Sequence, residues 1–335
     1  SSMVANADAN GGVAGGGNGN FAASGSASAG SATINIATTG NVTAPAITVS
    51  ASAFSEPSSK TGNAIGGTAG LTIFNGTVTS ADLSVLADGV AGTATPETSR
   101  SSSTSAPGSG DGGTAALNIN GGTVNADSAT ISAVGQGSGG VLPDTISGAL
   151  PVAISGGSGT GNNASLVMSG GTATFTGDVT IDASGIGGAG YVSAVSGAAG
   201  NGGGGNGGTA RIDILGGVLT AANANLTADG IGGDGGPNWG SGAAGAGGAG
   251  DAGGGGVELE GAVAQPVFVE HQGSAAEGVG LHDVGAHREI ALVDAVDHVG
   301  PGGAEVLVAP LELGTAEVLG RECHALKGGA GGAVE

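Results

Sequence analysis

The chain has 335 residues, 77 of them glycine, and carries six Lys plus Arg against 27 Asp plus Glu, a formal net charge of −21. That charge removes the electrostatic basis for binding nucleic acid or an anionic membrane surface. A single cysteine, Cys323, excludes an internal disulfide framework, and no stretch is long and apolar enough to span a bilayer.

Residues 1–30 are a Gly/Ser/Asn-rich low-complexity segment. The opening Ser1-Ser2-Met3-Val4-Ala5-Asn6 has neither the basic stretch nor the apolar run of a signal peptide. The segment reads as a linker inside something longer, so the expectation is a fragment whose export signal lies elsewhere.

From 31 to 256 one pattern recurs five times: two aliphatics one residue apart, a glycine, a third aliphatic, a second such pair, then Ala-x-Gly. The looser first copy has Ile34, Ile36, Gly40, Val42, Ile47 and Val49. The second reads Leu71, Ile73, Gly76, Val78, Leu83, Val85 and Ala87-Asp88-Gly89. The third has Leu117, Ile119, Gly122, Val124, Ala129, Ile131 and Ala133-Val134-Gly135. The fourth has Leu166, Met168, Gly171, Ala173, Val179, Ile181 and Ala183-Ser184-Gly185. The fifth has Ile212, Ile214, Gly217, Leu219, Ala224, Leu226 and Ala228-Asp229-Gly230. Successive copies are 37, 46, 49 and 46 residues apart.

Residues two apart share one side of a strand, so each copy predicts three short strands with aliphatics inward and Thr, Asn, Ser and Asp outward. A repeat at this period signals a solenoid, propeller or array. A propeller blade needs four strands and aromatic packing, and aromatics here are 2%. One copy contributes five small aliphatics at roughly 1.5–3 kcal/mol each. That does not offset ordering some twenty residues at about 1–2 kcal/mol apiece. Copies must therefore stack. The predicted fold is all-β, a parallel β-solenoid (β-helix) of about five rungs with long Gly-rich loops.

Those loops are the linkers 135–161, 185–208 and 230–256, expected to leave one corner as mobile or loosely extended chain. The alternative is a bundle of polyproline II strands, where only glycine permits the close backbone approach. The segments 56–64 and 93–107 read as further connectors.

In 114–124 (TAALNINGGTV) and 209–219 (TARIDILGGVL) the sequence resembles the repetitive surface proteins of Gram-negative bacteria, the autotransporter passengers and filamentous-haemagglutinin-type adhesins. The Gly-rich linkers are also similar to mycobacterial glycine-rich repeat proteins. The resemblance covers about residues 30–256 and implies a secreted or outer-membrane-exposed β-helix used for adhesion, biofilm or as a stalk. The partners it implies are host surfaces, polysaccharide or self-association through the solenoid ends.

The search for chemistry yields no catalytic, cofactor-binding or metal residue. The stretch 108–113 (GSGDGG) matches a dinucleotide fingerprint but follows Pro107 and a Ser/Thr tract instead of a strand. The stretch 232–236 (GGDGG) resembles one unit of a calcium-binding β-roll, whose nonapeptides must occur in tandem. A flexible acidic loop is the preferred reading. Outward threonines, Thr77 and Thr79, or Thr172, Thr174 and Thr176, suggest an ice-binding ladder, but Asn118, Asn125 and Asp213 are taken as equivalent positions that break it. Threonine also simply favours a solvated strand face. Asp178 and Asp182 share one copy and form the carboxylate pair that a polysaccharide-acting β-helix enzyme would need, but no neighbouring copy repeats them. Sequons such as Asn41-Val42-Thr43 and Asn225-Leu226-Thr227 carry little weight in a Thr-rich chain.

Residues 257–335 change composition. All five histidines (His271, His282, His287, His298, His324) and ten of the twelve glutamates lie here. Two readings compete, a distinct C-terminal region and translation out of the original frame. His282, Asp283, His287, Asp297 and His298 offer metal-ligand chemistry without a supporting spacing. The expected function is a structural or adhesive repeat protein with no catalytic activity. The alternatives are a polysaccharide-acting enzyme and an ice-binding solenoid.

Overall fold

A computed structural model of the chain describes residues 1–12, 16–17, 20–21, 24–37, 40–57, 61–93, 107–139, 154–191, 199–237, 243–259, 269–272 and 304–306. Every regular element among the described residues is a β-strand, and none is helical. The strands pair in parallel except at Gly16–Gly17 with Asn20–Phe21 and at Val269–Gln272 with Ala304–Val306. No sheet closes into a barrel.

Each strand pairs with the corresponding strands of the copies before and after it, giving five parallel stacks. The first holds Ser31–Ile36, Thr68–Ile73, 114–119, 163–168, Thr209–Ile214 and Gly254–Leu259. The second holds 41–44, 77–80, 123–126, 172–175 and Val218–Thr220. The third holds Met3–Asn6, 46–50, 82–86, 128–132, Asp178–Asp182, Asn223–Thr227 and Val269–Gln272.

The register is the one that the aliphatic pattern dictates. Leu71 pairs with Ile34 and Leu117, and Leu117 with Leu166. Leu166 in turn pairs with Ile212. Inward positions of the three stacks merge into one core, in which Leu71, Ile73, Val78, Val85, Leu117, Ile119, Val124, Ile131 and Ile181 are fully buried. The core is thus shared between copies, and a substitution in one copy is felt by both neighbours. Between the first and second stacks the chain turns at Gly122, Gly171 and Gly217, with φ of 79°, 87° and 92°. A Cβ on Gly171 would lie 2.6 Å from the Gly122 carbonyl oxygen, so these turns need glycine twice over, for conformation and for space.

Two further stacks consist of strands only two residues long. The fourth is Ala9–Asn10, Ala53–Phe54, Gly89–Val90, Gly135–Gln136, Gly185–Ile186 and Gly230–Ile231. The fifth is Ala27–Ser28, Ala64–Ile65, Gly110–Asp111, Gly159–Thr160, Gly205–Asn206 and Gly250–Asp251. They face one another across a layer of bare backbone. A Cβ on Gly135 would lie 2.5 Å from the Gly110 oxygen, and one on Gly159 the same distance from the Gly135 oxygen. At the amino-terminal side Ala27, Ala53 and Ala64 fill this layer instead, as a small buried cluster.

The described parts of the Gly-rich linkers are packed, which corrects the expectation of loose loops. Gly187 and Gly190 donate to Ile231 and Asp234 of the next copy, whereas Gly188 and Tyr191 donate to Gly157 and Ile154. Gly202 and Gly205 donate to Ala246 and Ala249, whereas Gly200 and Gly203 donate to Tyr191 and Gly188. Donors facing one neighbour recur every three residues, the period of a polyproline II helix rather than the two of a strand. Outside the turns at 121–122, 171 and 217, no described glycine has a positive φ. These glycines are required for close approach and not for an unusual backbone angle. Ile154 and Tyr191 bury each other in a small apolar cluster on this layer.

The ladder crosses the change in composition at 257. Gly254–Leu259 pairs with Thr209–Ile214, placing Val257 opposite Ile212 and Leu259 opposite Ile214. At the other end Met3–Asn6, inside the segment read as low-complexity, pairs with 47–50.

Candidate functional site

The outward sides of the three long stacks are the surfaces that this architecture offers, and their registers differ in chemistry. On the first stack Thr72, Asn118, Val167 and Asp213 form one column. Beside them Arg211 Nε lies 3.2 Å from Asp213 Oδ2. On the third stack Asp82 pairs with Ser128, Asp178 with Asn223, and Asp182 with Ser132 and Thr227. Hydroxyls and amides here are held by carboxylates. Ser128 Oγ donates to Asp82 at 2.7 Å, and Asn223 Nδ2 donates to Asp178 at 2.7 Å.

At the corner after the third stack a second column runs Asp8, Ser52, Asp88, Val134 and Ser184. Each acceptor holds a backbone N–H of the following copy. Asp8 Oδ1 accepts from Ser52 N at 2.7 Å, Ser52 Oγ from Asp88 N at 3.1 Å, and Asp88 Oδ1 from Val134 N at 2.9 Å. Asp88 also accepts from Ser132 Oγ at 2.6 Å. Burial pushes the Asp88 carboxyl above its ordinary value; the bonds from Ser132 and Val134 oppose this, and the charges of Asp182 and Asp8 add to it. The column stitches copies together, a structural use of carboxylates.

The second stack is different. Its outward columns are Asn41, Thr77, Thr123, Thr172, Val218 and Thr43, Thr79, Asn125, Thr174, Thr220. Asn118 and Asp213, read from sequence as interruptions of a threonine ladder, belong to the first stack, and of the three only Asn125 lies in it. Thr176, in contrast, is not a member. It sits at the following corner and donates to Asp127 Oδ1 at 3.0 Å.

The remaining motifs find structural roles. Gly110–Asp111 is a parallel strand between Ala64–Ile65 and Gly159–Thr160, so 108–113 has no strand-turn-helix context. Within 232–236, Gly233 and Gly236 donate to Gly203 and Gly200, and the Asp234 carbonyl accepts from Gly190. This segment is packed backbone, not a flexible acidic loop. Asp178 and Asp182 have Asn223, Ser132 and Thr227 as register partners, so no second carboxylate pair stacks on the first. Among the described residues no group of three or more His, Cys, Asp or Glu is placed to hold a metal ion. His282, Asp283, His287, Asp297, His298 and Cys323 lie outside the described residues. No described helix is long and apolar enough to cross a membrane.

Comparison with protein families, curated proteins and solved structures finds no match to this chain.

Proposed function

We propose that the chain is a parallel β-solenoid with one rung per sequence copy, about five in all, and that it serves as a structural or adhesive element exposed at a bacterial surface. The observation that carries this reading is the uninterrupted register of the three long stacks, in which the same outward positions recur from copy to copy. Such stacking supports a stiff rod whose sides are extended polar surfaces, suited to multivalent weak contacts with a host surface or polysaccharide. The glycine layer widens the rod without adding side chains. The absence of a stacked second carboxylate pair beside Asp178 and Asp182 weighs against polysaccharide cleavage.

The test is retention of the purified chain on immobilised acidic polysaccharide and on epithelial cells, with reducing-end release followed in the same samples. Retention on either surface without release is expected. Release of reducing ends, or no retention on both surfaces, would overturn the proposal.

A further inference from the structure

We infer that the outward side of the second stack is an ice-binding face, a site independent of the adhesive reading. Three observations converge on it. The first is geometry. Seven of its ten outward positions are threonine, in two columns that pair without a register slip at Thr77, Thr123 and Thr172 and at Thr79 and Thr43. Neighbouring strands are about 4.8 Å apart and alternate residues along a strand about 6.6 Å apart, so hydroxyls and methyls form a two-dimensional grid roughly 19 Å long.

The second is charge. The chain carries 27 acidic residues, and the third stack and the corners beside it carry Asp82, Asp88, Asp127, Asp178 and Asp182. The ten outward positions of the second stack are Thr, Asn and Val only. A charged side chain holds a strongly oriented hydration shell, which a crystalline water lattice cannot match, whereas a methyl beside a hydroxyl tolerates ordered water on both groups.

The third is the state of the hydroxyls. On the third stack and its corner, serines are taken up by Asp82 and Asp88. Among the described residues, no side-chain hydrogen bond engages the seven threonine hydroxyls of the grid. Their hydrogen-bonding capacity faces water. The inward partners Val78, Val124, Ala173 and Leu219 are buried in the core, which fixes the strands beneath the grid. A neutral, rigid, regularly spaced array of free hydroxyls and methyls is complementary to an equally regular neutral ligand, and ordered water is the ligand with that chemistry.

The experiment is ice-crystal morphology and the gap between melting and freezing points, measured on the full chain, Thr123→Lys in the centre of the grid, and Thr180→Lys on the third stack. Circular dichroism melts accompany each. Faceted crystals and a finite gap are expected for the parent and for Thr180→Lys, with loss of both in Thr123→Lys at unchanged melting. Thr123→Val, which keeps the shape and a methyl, should retain faceting even if the lysine variant fails to fold. Round, unshaped crystals in the parent, or equal loss in Thr123→Lys and Thr180→Lys, would overturn the assignment.

Discussion

Replacing Gly203 by alanine should break the glycine layer, while the same replacement one residue later should not. A Cβ on Gly203 would lie 2.5 Å from the Gly157 carbonyl carbon and 2.9 Å from the Gly156 oxygen, inside the 3.0 Å that side-chain carbons essentially never enter. Restoring ordinary contact requires the Gly157 carbonyl to recede by about 0.9 Å or more. That oxygen accepts the Gly188 N–H at 2.8 Å, so the shift leaves a donor and an acceptor without each other. Overpacking at about 1–3 kcal/mol and one broken, poorly hydrated bond at about 1–3 kcal/mol give a loss of about 2–6 kcal/mol. At Gly204 the nearest atom to a Cβ is the Ala249 oxygen at 3.6 Å, an ordinary contact. There alanine should be neutral or stabilising by about 0.4–1 kcal/mol, through the unfolded chain. Urea unfolding followed by circular dichroism reads both, with amide exchange at Gly188 reporting the local bond. Losses within about 0.5 kcal/mol of each other would refute backbone-limited packing.

Three further outcomes follow from the same geometry. Ile119→Asp places a charge in the shared core and should cost more than about 4 kcal/mol, whereas Asn118→Asp, on the outward side, should change stability by less than about 0.5 kcal/mol; equal thermal melts would contradict the alternation. Amides of Gly188, Gly203 and Gly233 should be protected from exchange to an extent comparable with Leu117, because each donates to a carbonyl of the glycine layer, and fast exchange there would restore the loose-linker reading. The Asp88 carboxyl titrates above its ordinary value of 3.8 in the folded chain, so the native state binds that proton more tightly than the unfolded one. Its contribution to stability therefore falls as pH rises from near 3.8 through the raised value, and Asp88→Asn should decline less than the parent in melts compared across that range.

The three long strands of each copy were legible because their signal is the period of two, carried by side chains such as Leu117 and Ile119 or Val85 and Leu83 that must leave water. The terminal pieces were legible in principle. Val257 and Leu259 stand 45 residues after Ile212 and Ile214, and Met3, Ala5 and Ala7 repeat the spacing of Ile47, Val49 and Ala51. Each is only part of a copy, so the full repeat pattern does not pick it out. The threonine grid was obscured for a different reason. By residue type alone Asn118 and Asp213 fall with the threonine ladder, and only pairing register separates adjacent faces of similar composition.

The glycine layer lies outside what hydrophobic patterning can express. A core built from Leu71 or Ile131 is driven by removal of apolar surface, and its sequence signal is the identity of the buried side chain. In the layer of Gly157, Gly188, Gly203 and Gly233 there is no side chain to bury, and order comes from hydrogen bonds made to the neighbouring copies. Each such bond contributes only about 0.5–1.5 kcal/mol net, less than or near the cost of fixing one residue at about 1–2 kcal/mol. The layer therefore depends on the aliphatic core to hold its ends at the fourth and fifth stacks. That dependence gives the two halves an order of loss: a break at Gly203 should leave the aliphatic stacks folded, whereas a break at Ile119 should release the glycine segments anchored beside it.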